Sequence, residues 1–407
     1  MKNVLKSLSV AALLAVAACS SQTDSFVENN FKFIENQLPV AFSSIDSVQT
    51  ALKSSGRLKS GVFAQSVVRT INKNGSLHLV GANDWTCGFF PGLLWYTYEY
   101  SGDPIWKEKA IKYTATIEMA KTRTNTHDLG FMLYCSFGNG YRLTGDSKYK
   151  EVLIEGANSL ITRFDEKIGL IRSWDFNADK WNYPVIIDNM MNLEMLCEVT
   201  KLTGDQKYME IAKKHADKTI QNHFRPDYSS YHVVDYDSVG VATKHITHQG
   251  YSNSSAWARG QGWGLYGYTM MYRETGDEKY LVQANHIANF ILTHPNLPAD
   301  KVPYWDFNAP NIPNEPRDVS AATLIASALY ELSGYNIEKC EEYRVVADTI
   351  LESVSKNYLA KKDGDYGFVT TQSVGSFPSD TEVSVPLSYA DYYFAEALIR
   401  RERGFKF

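Results

Sequence analysis

The chain has 407 residues, is 44% hydrophobic and 13% aromatic, and carries a formal net charge of −5. With no basic block, it lacks the positive face that general nucleic-acid binding needs, and beyond its first residues it holds no apolar run long enough to span a bilayer. A small anionic ligand stays open, because it needs only locally placed Arg, Lys or His.

The first 18 residues read as a processing signal. Lys2 and Lys6 form a basic start, Val10 to Ala18 an apolar stretch, and Val16-Ala17-Ala18-Cys19 is similar to a bacterial lipoprotein box. Cys19 is then expected to be the lipidated N-terminus, so that the only membrane contact is the lipid anchor and the protein is exported to the periplasm or the outer membrane. An ordinary cleaved secretory signal is the other reading, and it too exports the chain. Loss of Lys2 and Lys6 moves the net charge from −5 to −7. Residues 19–25 read as a polar tether, and 26–407 as a single domain, since no linker-like tract divides them; a monomer or weak oligomer is expected.

A helix is predicted from about Phe26 to Lys53. After it, one turn recurs: Ser101-Gly102-Asp103, Thr144-Gly145-Asp146, Thr203-Gly204-Asp205, Thr275-Gly276-Asp277 and, more weakly, Ser333-Gly334-Tyr335. Gly is suited to the left-handed C-cap of one helix and Asp to opening the next, so each unit is a helical hairpin. Ahead of the turns lie helices short of charge, over 89–100, 129–143, 190–202, 262–274 and 321–332, and a sixth over 387–400 closes the chain. Behind the turns lie helices with a polar face. Six low-charge helices inside six amphipathic ones make an all-α (α/α)6 barrel. The long inserts, 163–185, 223–259 and 295–318, all lead into inner-helix N-termini and so gather at one end, as variable loops do in repeat folds. "SYHVVDYD", "KIGLIRSWDF" and "GDYGFVT" read as short strand-like decorations, none sufficient for a sheet of its own. Cys87, Cys135, Cys197 and Cys340 read as buried free thiols, with disulfides the alternative for an exported chain.

Asp128 and Asp188 stand in nearly the same frame, each after a short loop, at the head of an apolar run, and 16 or 17 residues before the Gly of a Thr-Gly-Asp turn. If neighbouring inner helices run the same way, two carboxylates meet at one level, the usual apparatus for acid/base chemistry on sugars. Either Asp alone also reads as a helix N-cap. His127 adjoins Asp128, as a substrate contact or an exposed loop histidine. Trp85, Trp174 and Trp181 precede inner helices, while Trp257 and Trp263 flank the start of the fourth. Indoles there stack on sugars or simply fill the core. In "HQGYSNSSAWARGQGWGLYGY" the polar Gln249, Ser254, Arg259 and Gln261 can face the cavity. Arg259 is a fork for a carboxylate or the partner of a neighbouring acid. His232, in the insert before it, is a further sugar or carboxylate candidate. His245 and His248 are spaced as a metal pair but lack a third ligand, so neither a metal nor a cofactor is expected.

These segments together carry a resemblance. "WTCGFFPGLLWYTYE", "HDLGFMLYCSFGNGYRL", "IIDNMMNLEML", "QGYSNSSAWARGQGWGLYGY" and "YADYYFAEALIR" resemble the unsaturated glucuronyl hydrolases of glycoside hydrolase family 88 across essentially the mature chain. The resemblance implies hydration of the enol ether in a 4,5-unsaturated uronic acid, left by lyases at the non-reducing end of oligosaccharides, with a glycosaminoglycan as the expected source. It implies Asp188 as the general acid and then base, Asp128 as its paired carboxylate, and Arg259, Gln249 and His232 as substrate contacts. His127, Trp85, Trp174 and Trp257 are implied around the cavity, while Trp263 stays a substrate-binding candidate from its position alone. Alternatives are the same chemistry on a pectin-derived rhamnogalacturonan fragment, a glycan-binding lipoprotein without turnover, or an ordinary two-carboxylate glycosidase. Cys87 stands where a small residue such as Ser is expected, which bears on the substrate subset.

Overall fold

A computed structural model describes residues 25–404; the expected signal over 1–18 and Cys19 lie outside the described residues. The predicted first helix is α1, Ser25–Ser54. The inner helices follow as α2 Phe89–Ser101, a π-helical run Gly130–Gly138 continued by α4 Asn139–Thr144, α6 Leu193–Thr203, α8 Ala258–Thr275, α10 Val319–Ser333 and α12 Ser388–Arg403. The outer ones are α1, α3 Pro104–Ala115, α5 Ser147–Ile161, α7 Lys207–Asn222, α9 Glu278–Thr293 and α11 Cys340–Asn357. Each inner element packs on the next, and α12 returns to α2, which closes the ring. The (α/α)6 barrel is therefore observed.

Burial separates the two rings for the reason the charge pattern gave. Every residue of α10 is buried, whereas in α7 only Tyr208, Ala212, His215, Ala216 and Thr219 are, a stripe at helical spacing. Gly102, Gly145, Gly204 and Gly276 end their helices with φ between 65° and 76°, the left-handed conformation that Gly adopts without a Cβ clash. The carboxylates of Asp103, Asp146 and Asp277 then cap the next helix. Asp205 accepts from Lys207 N although α7 takes Gln206 as its N-cap. The fifth turn departs from expectation: Gly334 has φ −76°, and the following helix starts only at Cys340. Here backbone N–H groups of Gly334 and Tyr335 bond Glu331 and Leu332 carbonyls, so a tight right-handed turn ends the helix instead.

The strand-like pieces make more sheet than the sequence suggested. Strands β1 Val67–Ile71 and β2 Leu77–Val80 form a hairpin, and β3 Phe164–Asp165 pairs with β4 Leu170–Ile171. Then β5 Pro184–Ile186, β6 Val233–Tyr236 and β7 Ala242–Ile246 form a three-stranded antiparallel sheet across two inserts. "GDYGFVT" instead holds a short 3-10 turn, Asp365–Gly367, and the strands of that region lie later, as β8 Ser373–Ser376 paired with β9 Thr381–Val385. Cys87, Cys135, Cys197 and Cys340 are free, and the first three are buried.

Candidate active site

The second and third inner helices begin in contact. Phe131 N donates to Asn192 Oδ1 at 3.1 Å, and a Cβ on Gly130 would lie only 2.5 Å from Asn192 Cα, so no larger residue fits there without a shift. This close approach brings the loops carrying Asp128 and Asp188 to one level. The helix after Asp128 opens as a π-helix rather than the α-helix predicted, a geometry often found at functional sites. Asp188 sits in a 3-10 turn, Ile187–Asn192, at the end of β5.

Both aspartates line one cavity of about 530 Å³ at the loop-bearing end of the ring. Neither is spent as a helix cap. Asp128 Oδ2 accepts from Thr126 Oγ1 at 2.6 Å, and its Oδ1 lies 3.2 Å from His127 Nε2. Asp188 Oδ2 is buried without a protein hydrogen bond, and His232 Nε2 is 3.8 Å away. His232 Nδ1 accepts the backbone N–H groups of His248 and Gln249, at 3.0 and 3.1 Å. In the neutral ring the proton therefore sits on Nε2, aimed at Asp188. Burial, with the nearby His248 and Arg259, holds the His232 pKa well below the ordinary value and so keeps the ring neutral.

The same environment splits the two carboxyls. Burial raises Asp188 to about 7; His127 and Arg259 pull it back and Asp128 pushes it up. Burial also acts to raise Asp128, but the combined pull of His127, Thr126 and Arg123 wins and holds it below the usual carboxylate range. Asp188 is the group that can carry a proton near neutrality, and Asp128 the one that stays ionised.

Of the other expected residues, His127, Trp85, Trp174, Gln249 and Arg259 line the cavity. His232 and Trp257 stand directly behind it: the Trp257 ring is 4.6 Å from His232 and carries the Arg259 guanidinium 4.6 Å above it. Trp263 is fully buried against Phe131 and Tyr393. Trp181 backs Trp174 edge-on at 5.9 Å. Gln261 is spent on the Ser230 and Trp257 backbones, and Ser254 bonds Ser252 at the surface, so neither faces the cavity. His245 packs on Tyr231 while His248 turns to Trp174, so the two do not converge as metal ligands.

Arg259 fits the neighbouring-acid reading. Its Nη1 donates to Asp318 Oδ2 at 2.9 Å and to Val374 O, and its Nη2 to Gly375 O at 2.7 Å. It thus holds the β8–β9 hairpin, whose Ser376, Ser379 and Thr381 form a wall of the cavity. Sequence reasoning missed that wall, the lining residues Asn125, Thr126, Ser173, Asp175, Phe176 and Ile186, and a non-metal role for His248. Phe176 is exposed and stacks on Trp174 at 4.8 Å.

Fold and cavity together give a toroid of six helical hairpins with two carboxyls in one cavity at its loop-bearing end, the kind of side-chain pair that glycoside hydrolysis uses. More particularly, the family model described as Glycosyl Hydrolase Family 88 matches residues 61–402, and the chain belongs to this family of glycoside hydrolases. The chain is 49% identical over 329 residues to an unsaturated glucuronyl hydrolase of Formosa agariphila, spanning 80% of this chain and 82% of that protein. It is 32% identical over 383 residues to an unsaturated chondroitin disaccharide hydrolase of Streptococcus agalactiae, with 92% and 95% covered. Among solved structures, an unsaturated glucuronyl hydrolase specific for heparin superposes with a TM-score of 0.85 at 44% identity, over 93% of this chain and 97% of the other.

Proposed function

We propose that this glycoside hydrolase removes the 4,5-unsaturated uronic acid from the non-reducing end of short glycosaminoglycan-derived oligosaccharides by hydrating its enol ether. The observation that carries the reading is the placement of two carboxyls in one cavity with unlike surroundings: Asp188 Oδ2 is buried without a protein hydrogen bond, which pushes it up to about 7, while Thr126 and His127 hold Asp128 and help keep it below the usual range. Protonated Asp188 gives its proton to C4, and the positive charge formed at C5 is shared with the ring oxygen. Asp188, now a carboxylate, takes a proton from the water that adds at C5. The resulting hemiketal opens to a 5-keto sugar, and the hemiacetal left at C1 expels the aglycone as an alcohol. The anionic Asp128 stabilises the cationic centre and, by repelling a second negative charge, favours the protonated form of Asp188.

The surroundings suit the substrate. His232 presents an N–H beside Asp188, and Trp85 and Trp174 offer ring faces for stacking on a sugar. Arg259, committed to Asp318 and the hairpin, supplies positive potential toward the uronate more than a free fork. Export with a lipid anchor on Cys19 belongs to the same proposal and rests on the sequence of that segment; among the described residues no helix is long and apolar enough to cross a membrane.

A panel of unsaturated disaccharides tests the reading through loss of their near-UV absorbance. Glycosaminoglycan disaccharides should be consumed and a rhamnogalacturonan one spared; the reverse, or no loss with any, overturns it. The pH dependence is a second expected result. Since Asp188 must be protonated in the free enzyme, kcat/KM should be highest on the acid side of neutrality and fall about tenfold per unit once pH rises past about 7. The acid limb belongs to Asp128 and should lie below the usual carboxylate range. A profile flat to pH 8.5 would exclude Asp188 as the donor.

A further inference from the structure

Two walls of the cavity are the loop of Trp85 and the β8–β9 hairpin of Ser376, Ser379 and Thr381. The backbone bridge of Thr70 to Leu387 and the Lys73–Asp380 pair tie the β1–β2 hairpin to the chain around β9, and one side chain bonds both walls. Arg69, on β1, gives Nε and Nη2 to the two oxygens of Glu382, at 2.6 and 2.9 Å, and Nη1 to Asp84 Oδ2 at 2.6 Å. Asp84 immediately precedes Trp85, and its Oδ1 accepts from N and Oγ1 of Thr86, the residue after Trp85. Glu382 immediately follows Thr381. Arg69 itself does not line the cavity, so it acts on substrate only through the residues it fixes.

The Glu382 end is built for this. Its backbone sits at φ 56°, as those of Asp380 and Ser384 beside it do at 51° and 55°, a left-handed conformation uncommon for non-glycine residues. The bidentate pair with Arg69 fixes the carboxylate that this backbone carries. The Glu382 carboxylate also lies over Gly375, where a Cβ would come within 2.3 Å of Oε2, and the Gly375 carbonyl is the acceptor for both Arg259 Nη2 and Gln249 Nε2. A continuous chain of contacts therefore runs from the Trp85 loop through Arg69 and Glu382 to Gly375, Arg259 and Gln249. We infer that Arg69 is a positioning residue that sets the separation between the Trp85 face and the hairpin wall, and thereby the affinity for the sugar held between them.

This inference rests on the proposed substrate class, and its test separates the two. Arg69→Met keeps the stem and removes both ion pairs, Arg69→Lys can reach one wall but not both, and Glu382→Gln weakens one pair in case Arg69→Met does not fold. Kinetics on an unsaturated disaccharide, thermal melting, and hydrogen exchange over 373–385 are measured on each. Expected for Arg69→Met are a KM at least tenfold higher, kcat within about threefold of the parent, an unchanged pH profile, and faster exchange in the hairpin. Arg69→Lys should fall between, and Glu382→Gln should raise KM at least threefold. A purely structural ion pair would lower the melting temperature and leave the KM of the folded fraction alone. A folded Arg69→Met, or Glu382→Gln where it does not fold, with parental KM overturns the inference, as does a loss confined to kcat. A parent protein inert toward every disaccharide overturns the functional reading instead, and hairpin exchange then decides Arg69: parental exchange rates in the variants sink the brace.

Discussion

Asp188→Asn is expected to abolish turnover while leaving the disaccharide bound. Removing a positioned general acid/base costs about 10²–10⁴ in rate, and because one group serves protonation and then water activation, the upper end applies. Binding should survive, since asparagine keeps the shape of the side chain and offers Oδ1 to the His232 N–H now facing Asp188 at 3.8 Å. A second consequence concerns stability. The folded pKa of Asp188 is about 7 against an ordinary 3.8, so the folded state holds a proton that the unfolded chain releases between those values. Stability contributed by this site is thus greatest below the unfolded pKa and is lost as pH rises toward 7, by the linkage between proton uptake and folding. Asp188→Asn removes that loss. Its melting temperature relative to the parent should therefore be higher at pH 8 than at pH 5, while its activity is gone at both. Turnover within tenfold of the parent, measured by absorbance loss with binding checked by calorimetry, would take the proton-transfer role away from Asp188.

Why so much of this was readable follows from where the information lies. The Thr-Gly-Asp turns are local: Gly102 and Asp103, or Gly145 and Asp146, set a left-handed cap and the next N-cap within two residues, so each hairpin announces itself. The registry of Asp128 and Asp188 was legible for the same reason, being counted from those turns. Non-local pairing was not. β5, β6 and β7 are three to five residues long and come from two inserts, so no window shows that Val185 will face Val234 or that Val234 will face His245. The β1–β2 hairpin did carry a signal, Asn74-Gly75 between runs of β-branched and apolar residues, with Gly75 at φ 79°. The wall of Ser376, Ser379 and Thr381 was hidden because it reaches the cavity from beyond α11, held by an arginine whose partners on the hairpin are backbone carbonyls. Trp263 illustrates the converse: its position at the head of an inner helix suggested the cavity, but helical phase turns it into the core.

Asp318→Ala is expected to be among the most destabilising single changes in the barrel. Asp318 is fully buried, and its Oδ2 accepts from Arg259 Nη1 at 2.9 Å. Its Oδ1 caps α10 through Ser320 N and Ala321 N, accepts Ser320 Oγ, and lies 3.3 Å from Val374 N. Truncation strands the Arg259 guanidinium, itself 1% exposed, as an unmatched buried charge. Breaking such a pair costs about 3–5 kcal/mol, and the lost cap adds about 1 kcal/mol. A melting temperature lower by at least about 5 °C should follow. Asp318→Asn separates the two contributions, for the amide oxygen can still cap the helix while the charge is gone, so most of the loss should persist in it. Because Val374 and Gly375 are bonded to this pair, the hairpin should loosen as well, raising KM in whatever enzyme remains folded. The coupling is read from a cycle with Arg259→Met. If the Asp318→Ala loss is the same with and without Arg259, the stranded charge is not its source, and Asp318 matters only as the cap of α10.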